Sequence, residues 1–161
     1  MRNYKRFIVA AIAVGAVCAL VGTAVATPPS GQTVTLLGRG TYGNGLDARH
    51  NNVEVERDRG SADFVTLHLV YEPGGSSGWH HHPGVGLVTV VSGALTFYTP
   101  DCVGHTYTAG QSFVESGNDP GLVRNEGSVG AEDYVTFIIP TKTLPTGLRI
   151  DDPQPAGCDK S

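Results

Sequence analysis

The segment Gly74-Gly75-Ser76-Ser77-Gly78-Trp79-His80-His81-His82-Pro83 is the most informative stretch of this 161-residue sequence. Side chains alternate between the two faces of a β-strand, so we expect His80 and His82 on one face and His81 on the other. Two neutral imidazoles on one face can share a metal ion. The pattern therefore predicts a candidate metal site; surface histidines that hold no ion are the alternative.

Short runs with period-two alternation flank this segment on both sides. They are rich in Val, Thr, Tyr and Phe and are bounded by Gly, Pro, Asn or Asp, which is typical of strands. No run has the capped 3.6-residue apolar period of an amphipathic helix. The chain is therefore predicted to be all-β, as a sandwich, a jelly roll or a small barrel. The predicted strands are residues 53–56, 64–71, 87–91, 95–98, 105–108, 112–115, 122–125 and 134–139.

The N-terminus has the pattern of a secretory signal peptide. Three basic residues among the first six precede an uncharged run at residues 7–22, and small residues follow as far as Ala26. We predict cleavage after Ala26 and secretion, which would leave no stable membrane anchor. An uncleaved N-terminal membrane anchor is the alternative, because residues 7–26 are just long enough to span a bilayer.

Composition and charge narrow the classes of function. The chain is 40% hydrophobic and 16% charged, which argues against a wholly disordered protein. Its net charge is −4, and loss of the three basic residues of the predicted signal makes it −7. An acidic domain of this kind is not expected to bind nucleic acid.

Two cysteines, Cys102 and Cys158, follow the predicted signal. In an oxidising compartment we expect them to pair as a disulfide. A redox-active or metal-binding pair is the alternative, but the chain has no C-x-x-C spacing to favour it.

The chain divides into four predicted parts. The N-terminal arm, residues 27–52, mixes Pro, Gly, Ser and Thr around one short apolar run, so we expect an extended segment with one strand at most. The tail is rich in proline and is expected to be an extended strap held by Cys158. The parts are a signal peptide at residues 1–26, an N-terminal arm at 27–52, a β-barrel at 53–140 and an extended C-terminal tail at 141–161.

The histidine segment resembles the first motif of the cupin superfamily, through Gly74, His80-x-His82-Pro83 and Gly93. A second cupin-like segment runs from Gly110 to Asn125, so the resemblance covers about the middle third of the chain. Small secreted actinobacterial-type cupins with a single domain are the most similar, with their Arg-Asn-Glu-Gly segment and C-terminal Cys. The resemblance implies a cupin-like double-stranded β-helix, which is a jelly-roll barrel.

The sequence departs from this family at two ligand positions. Cupins that hold a metal usually add a Glu four residues after the second His and a third His four residues before the Asn. Gly86 and Gly121 occupy these positions here, so the metal motif is degenerate. Glu115 is the candidate that would complete a two-His, one-carboxylate set with His80 and His82. An exposed strand-end carboxylate is the alternative.

The expected cofactor is a divalent first-row metal, namely Fe, Mn, Zn or Ni. Trp79 and His68 are candidates for the wall of a ligand pocket, where Trp79 would offer a stacking surface. Packing of Trp79 in the barrel wall and an outward His68 are the alternatives. His105 lies near Cys102 in the sequence, so we expect it at the surface.

These observations predict a secreted single-domain cupin that binds a divalent metal, a small-molecule ligand or both in its barrel. The alternatives are a metal-dependent oxygenase, isomerase or lyase acting on a small molecule, and a metal-free structural or binding module. The fold hosts all of these and does not choose among them. Cupin-like sheets often pair edge to edge, and the arm could exchange between copies, so a homodimer is expected.

Overall fold

The computed structural model describes residues 26–43, 46–57, 60–143 and 145–161. The predicted signal peptide lies outside the described residues, except for Ala26 at its predicted cleavage site. Among the residues that are described, no helix has the length and apolar character needed to cross a membrane.

The described chain is built almost entirely of β-strands, and its one helix is a single 3-10 turn at Pro145–Gly147. The all-β prediction is confirmed. The strands are β1 (Ser30–Tyr42), β2 (Leu46–His50), β3 (Val53–Arg57), β4 (Ala62–Ser76), β5 (His80–His81), β6 (Val85–Ser92), β7 (Ala94–Tyr98), β8 (Gly104–Thr108), β9 (Ser112–Glu115), β10 (Leu122–Arg124), β11 (Ala131–Pro140) and β12 (Ile150–Asp151).

Eight strands form one antiparallel sheet in the order β8-β7-β10-β4-β11-β6-β9, with β1 added alongside β4. The sheet curls into a nearly closed barrel, because residues from β4, β6, β7, β9, β10 and β11 all pack into one core. The β2–β3 hairpin forms a second sheet, and β5 pairs with β12 in a third.

Alternation along β6 and β11 decides which side chains enter the barrel. Every second residue of β6 is buried, including Val88 and Val90, while Leu87 beside them is exposed. On β11, Val135 and Phe137 are buried in the same way. Burial of each such side chain stabilises the fold by about 1.5–3 kcal/mol relative to its exposed state.

The N-terminal arm is more ordered than its sequence suggests. β1 spans 13 residues and pairs with β4 along almost its whole length, from Ser30 opposite Ser76 to Tyr42 opposite Ala62. Nearly every side chain of β1 is exposed. The strand is therefore held by backbone hydrogen bonds to β4, which a search for buried apolar alternation does not detect.

The C-terminal strap, residues 145–161, lies against the histidine segment. β12 pairs antiparallel with β5, which sets Asp151 opposite His80 and Ile150 opposite His81. The Trp79 indole Nε1 donates a 2.7 Å hydrogen bond to the Lys160 carbonyl oxygen. A disulfide between Cys102 and Cys158 ties the strap to the loop after β7.

Candidate metal centre

His80 is held by backbone pairing with β12 on one side and with Gly121 on the other. His80 N–H donates to Gly121 O at 3.0 Å, and Gly121 N–H donates to His80 O at 2.8 Å. The rings of His80 and His82 meet edge to face with their centroids 4.7 Å apart. His81 points elsewhere, because its Nδ1 contacts Asp152 Oδ2 at 2.7 Å. The two outer histidines therefore converge and the middle one fastens the strap.

Glu115 joins these histidines from a neighbouring strand. It ends β9, where the sheet register sets it opposite Gly86 of β6. One ligand atom each from His80, His82 and Glu115 lies within 4.8 Å of the others. The Glu115 side chain is only 12% exposed, so the alternative of an exposed strand-end carboxylate is wrong.

The two glycines at the family's other ligand positions stand where side chains do not fit. A Cβ on Gly86 would lie 2.7 Å from Phe137 Cε1 and 3.3 Å from Glu115 Oε2. A Cβ on Gly121 would lie 2.5 Å from Phe97 Cε2. The space of the missing Glu is therefore taken by Phe137 and Glu115, and that of the missing His by Phe97.

Hydrogen bonds fix which nitrogen each ring presents. His80 Nδ1–H donates to Gly78 O at 2.8 Å, and His82 Nδ1–H donates to Leu148 O at 2.5 Å. A carbonyl oxygen only accepts, so each ring carries a proton on Nδ1 and directs Nε2 toward the cluster. His82 Nε2 is buried and lies 3.4 Å from Glu115 Oε2, and it has no hydrogen-bond partner within the described chain.

The charge state of the cluster suits a metal ion. Burial lowers the pKa of His80 to about 4, so this ring is neutral at pH 7. Burial opposes ionisation of Glu115, yet the adjacent His82 and His80 rings hold its pKa below the usual value. Two imidazole nitrogens and a carboxylate are a donor set for divalent first-row metals, and three ligands leave coordination positions open.

The cluster lies in the wall of a cavity of about 120 Å³ inside the barrel. Most of the exposed area of the wall is apolar, and polar side chains also line it. The apolar lining comprises Val34, Leu67, Leu69, Val88, Val123, Val135 and Phe137. Beyond the cluster, the polar lining comprises Gln32, Tyr71, Ser77, Asp133 and Arg149.

Of the two carboxylic acids in this cavity, Asp133 is the one with a raised pKa. Its side chain is buried, and Oδ1 has no hydrogen-bond partner in the part of the chain that the structure describes. Burial, with the nearby charge of Glu115, raises the pKa of Asp133 to about 7. The group is therefore protonated below neutral pH and can donate a hydrogen bond as a neutral acid.

The two residues predicted to line a ligand pocket lie elsewhere. Trp79 is fully buried in a second core cluster with Tyr98, Leu122 and Cys158. His68 lies between two cavity-lining residues of β4, so alternation turns it outward, where it stacks on Tyr134 with centroids 4.7 Å apart. Trp79 is thus a packed core residue and His68 an outward one, as the alternative interpretations of the sequence had it. His105 is exposed on β8, as expected.

Sequence reasoning missed Asp133 and Arg149. Asp133 carried a usable signal, because it shares the inward register of Val135, Phe137 and Ile139 on β11. An acid at an inward position is a marker of function. Arg149 carried none, since it follows the 3-10 turn in the strap and only the β5–β12 pairing brings it to the cavity.

The fold and this cluster define a class: a small antiparallel β-barrel with a two-histidine, one-carboxylate group in its interior. Residues 67–137 match the Cupin_2 family, described as a cupin domain. The part of the chain that carries the cluster therefore resembles a cupin domain. No curated protein matches the chain.

Solved structures with a similar fold include three of different kinds. An oxalate oxidase aligns with a TM-score of 0.43 and 21% identity over 48% of this chain and 46% of that chain. A predicted oxalate decarboxylase from Thermotoga maritima has a TM-score of 0.43 and 17% identity, over 50% of this chain and 83% of that chain. The cupin domain of an XRE family transcriptional regulator from Enterobacter cloacae has a TM-score of 0.49 and 18% identity, over 69% of this chain and 99% of that chain. This chain spans about half the length of the oxalate oxidase.

Proposed function

We propose that this protein binds one divalent first-row metal ion, Fe, Mn, Zn or Ni, through His80, His82 and Glu115. The observation that carries the proposal is the convergence of their three ligand atoms within 4.8 Å. The position of His82 Nε2 supports it, because this buried nitrogen lies 3.4 Å from Glu115 Oε2 without a hydrogen bond, so one ion can bind both atoms.

The proposed ion would take its remaining ligands from the cavity side. Glu115, His80 and His82 are all part of the cavity lining, so a small ligand in the cavity can reach them. An ion at this position would polarise a carbonyl or hydroxyl of that ligand. The proposal is therefore a protein that binds a metal and a small ligand, whether or not a reaction follows.

Export is part of the same proposal. The disulfide between Cys102 and Cys158 supports it, since such bonds persist in oxidising compartments. A homodimer is proposed as well, because Leu36 and Leu37 on β1 are more than half exposed. Sedimentation of the exported protein tests the dimer, and a strict monomer would exclude it.

The metal assignment is tested by elemental analysis of protein exported to a periplasm, followed by titration of the metal-free form. We expect one equivalent of metal per chain. His80→Ala, His82→Ala and Glu115→Gln should each weaken binding by more than about 100-fold, since even outer-shell changes cost about 10–100-fold. His105→Ala is the matched control, because His105 is exposed on β8.

Substoichiometric metal in the wild type, or equal affinity in the ligand variants and the control, would reject the metal site. Catalysis is a separate question with its own measurement. A loaded protein that binds small molecules but converts none of them with Fe, Mn, Zn or Ni is a binding module. Turnover that disappears in His80→Ala instead identifies a metal-dependent oxygenase, isomerase or lyase.

A further inference from the structure

The cavity contains a second polar group for which the metal cluster has no use. Arg149 lines the cavity, and its Nη2 is buried without a hydrogen-bond partner anywhere in the described residues. Its Nε is engaged, since it donates to Asp151 Oδ1 at 2.5 Å. Arg149 is thus held in place through Nε, and its Nη2 remains available as a hydrogen-bond donor to a ligand in the cavity.

An unused guanidinium donor beside a cavity favours an anionic oxygen as its partner. Arginine is the side chain that best matches planar carboxylate and phosphate groups. Leaving a buried charged donor unpaired is costly, so a ligand that supplies an acceptor gains this energy on binding. Arg149 lines the same cavity as His80, His82 and Glu115.

The size of the cavity limits the ligand. Its volume of about 120 Å³ is slightly below that of an engineered cavity of about 150 Å³ that holds benzene. A ligand of about six non-hydrogen atoms therefore fits within it.

The charges around the cavity favour one negative charge on the ligand. A divalent ion with Glu115 carries a net charge of +1, Arg149 and Asp151 cancel each other, and Asp133 adds no charge in its protonated form. A monoanion would therefore neutralise the site. Asp133, buried on the same cavity wall, offers an unpartnered carboxyl oxygen to a further polar atom of the ligand.

We propose that the cavity binds a small 2-oxygenated monocarboxylate, whose carboxylate pairs with Arg149 and whose 2-hydroxyl or 2-oxo oxygen reaches Asp133 or the metal. The assignment rests on the metal site proposed above. It places the anchoring residue in the C-terminal strap, outside the matched cupin domain at residues 67–137.

Calorimetric titration of the Zn²⁺-loaded full chain tests this assignment with lactate, lactamide and propionate as probes. Lactamide keeps the size of lactate without its charge, and propionate lacks the 2-hydroxyl. We expect lactate to bind at least about tenfold more tightly than either. Arg149→Gln should weaken lactate binding by about 10–100-fold, and Arg149→Lys by less, because lysine keeps the charge but not the planar fork.

Arg49→Gln is the matched control, since Arg49 lies on the β2–β3 hairpin and pairs with Asp47, Glu54 and Glu56. A separate Zn²⁺ titration reports the metal site, so its failure is distinguishable from failure of the ligand assignment. Equal binding of lactate and lactamide, unchanged lactate binding in Arg149→Gln, or no lactate binding by Zn²⁺-loaded protein would each overturn the assignment.

Discussion

Gly86 is the residue on which the arrangement of the candidate site depends. It faces Glu115 across the β6–β9 ladder, and the space beside its Cα is filled by Phe137 and the Glu115 carboxylate. A carboxylate supplied by the neighbouring strand thus stands next to the position where the family usually carries its own Glu. Any side chain at Gly86 competes directly with this substitute ligand.

We predict that Gly86→Ala destabilises the protein and weakens its metal binding together. The added Cβ would lie 2.7 Å from the Phe137 ring, and overpacking of this kind costs about 1–3 kcal/mol. Displacement of Glu115 should lower metal affinity as well. Denaturant unfolding and metal titration measure the two effects. Gly38→Ala on β1 is the control, since no described residue beyond its chain neighbours has an atom within 4 Å of the position that its Cβ would occupy. Equal behaviour of the two variants contradicts the prediction.

Asp133 gives the metal-free protein a characteristic pH dependence. Its folded pKa of about 7 exceeds the ordinary value of 3.8, so the folded state binds the proton more tightly than the unfolded state. This contribution to the free energy of unfolding therefore falls as the pH rises from about 4 to about 7. The total change is a few kcal/mol at most, at about 1.4 kcal/mol per pKa unit.

Asp133→Asn should remove this dependence and stabilise the metal-free protein at pH 8 relative to the wild type. Urea unfolding at pH 5, 6, 7 and 8 gives the difference between the two proteins. Asp47→Asn, on the exposed β2–β3 hairpin, serves as the control. If the free energies of unfolding of the wild type and Asp133→Asn differ by the same amount at every pH, Asp133 does not titrate in this range.

At the level of elements, the C-terminal strap is what orients the histidines. β12 pairs with β5, Leu148 O accepts from His82 Nδ1–H, and Asp152 contacts His81. Outer groups of this kind fix the tautomer and the direction of a ligating ring. The disulfide at Cys158 holds the strap in place, so a covalent bond outside the cluster supports its geometry.

We predict that the double variant Cys102→Ser, Cys158→Ser loses about 2–4 kcal/mol of stability and binds metal about 10–100-fold more weakly. Thermal unfolding and metal titration provide the two values. Val65→Ala is the comparison, because Val65 is buried in the main core on β4 and belongs neither to the strap nor to the histidine segment. An equal loss of metal affinity in Val65→Ala would mean that general stability, rather than the strap, controls the site.

For the molecule as a whole, the site is assembled from segments far apart in the sequence. His80 and His82 come from the segment around β5, Glu115 from β9, Asp133 from β11 and Arg149 from the strap. The barrel brings them together because antiparallel pairing places the ends of these strands around one apolar interior. Function at this site therefore depends on the closure of the sheet.

Local patterns in the chain were enough to establish the strand content, the histidine pair and the family resemblance, since period-two alternation and short motifs need no knowledge of distant contacts. They also named Glu115 as a candidate, without deciding which way that carboxylate points. Folding in three dimensions was needed to turn Glu115 toward the histidines, to keep Trp79 and His68 out of the cavity lining, and to bring Arg149 into it. These outcomes depend on cross-strand register and on the strap's pairing with β5, which join residues whose spacing along the chain carries no signal of contact.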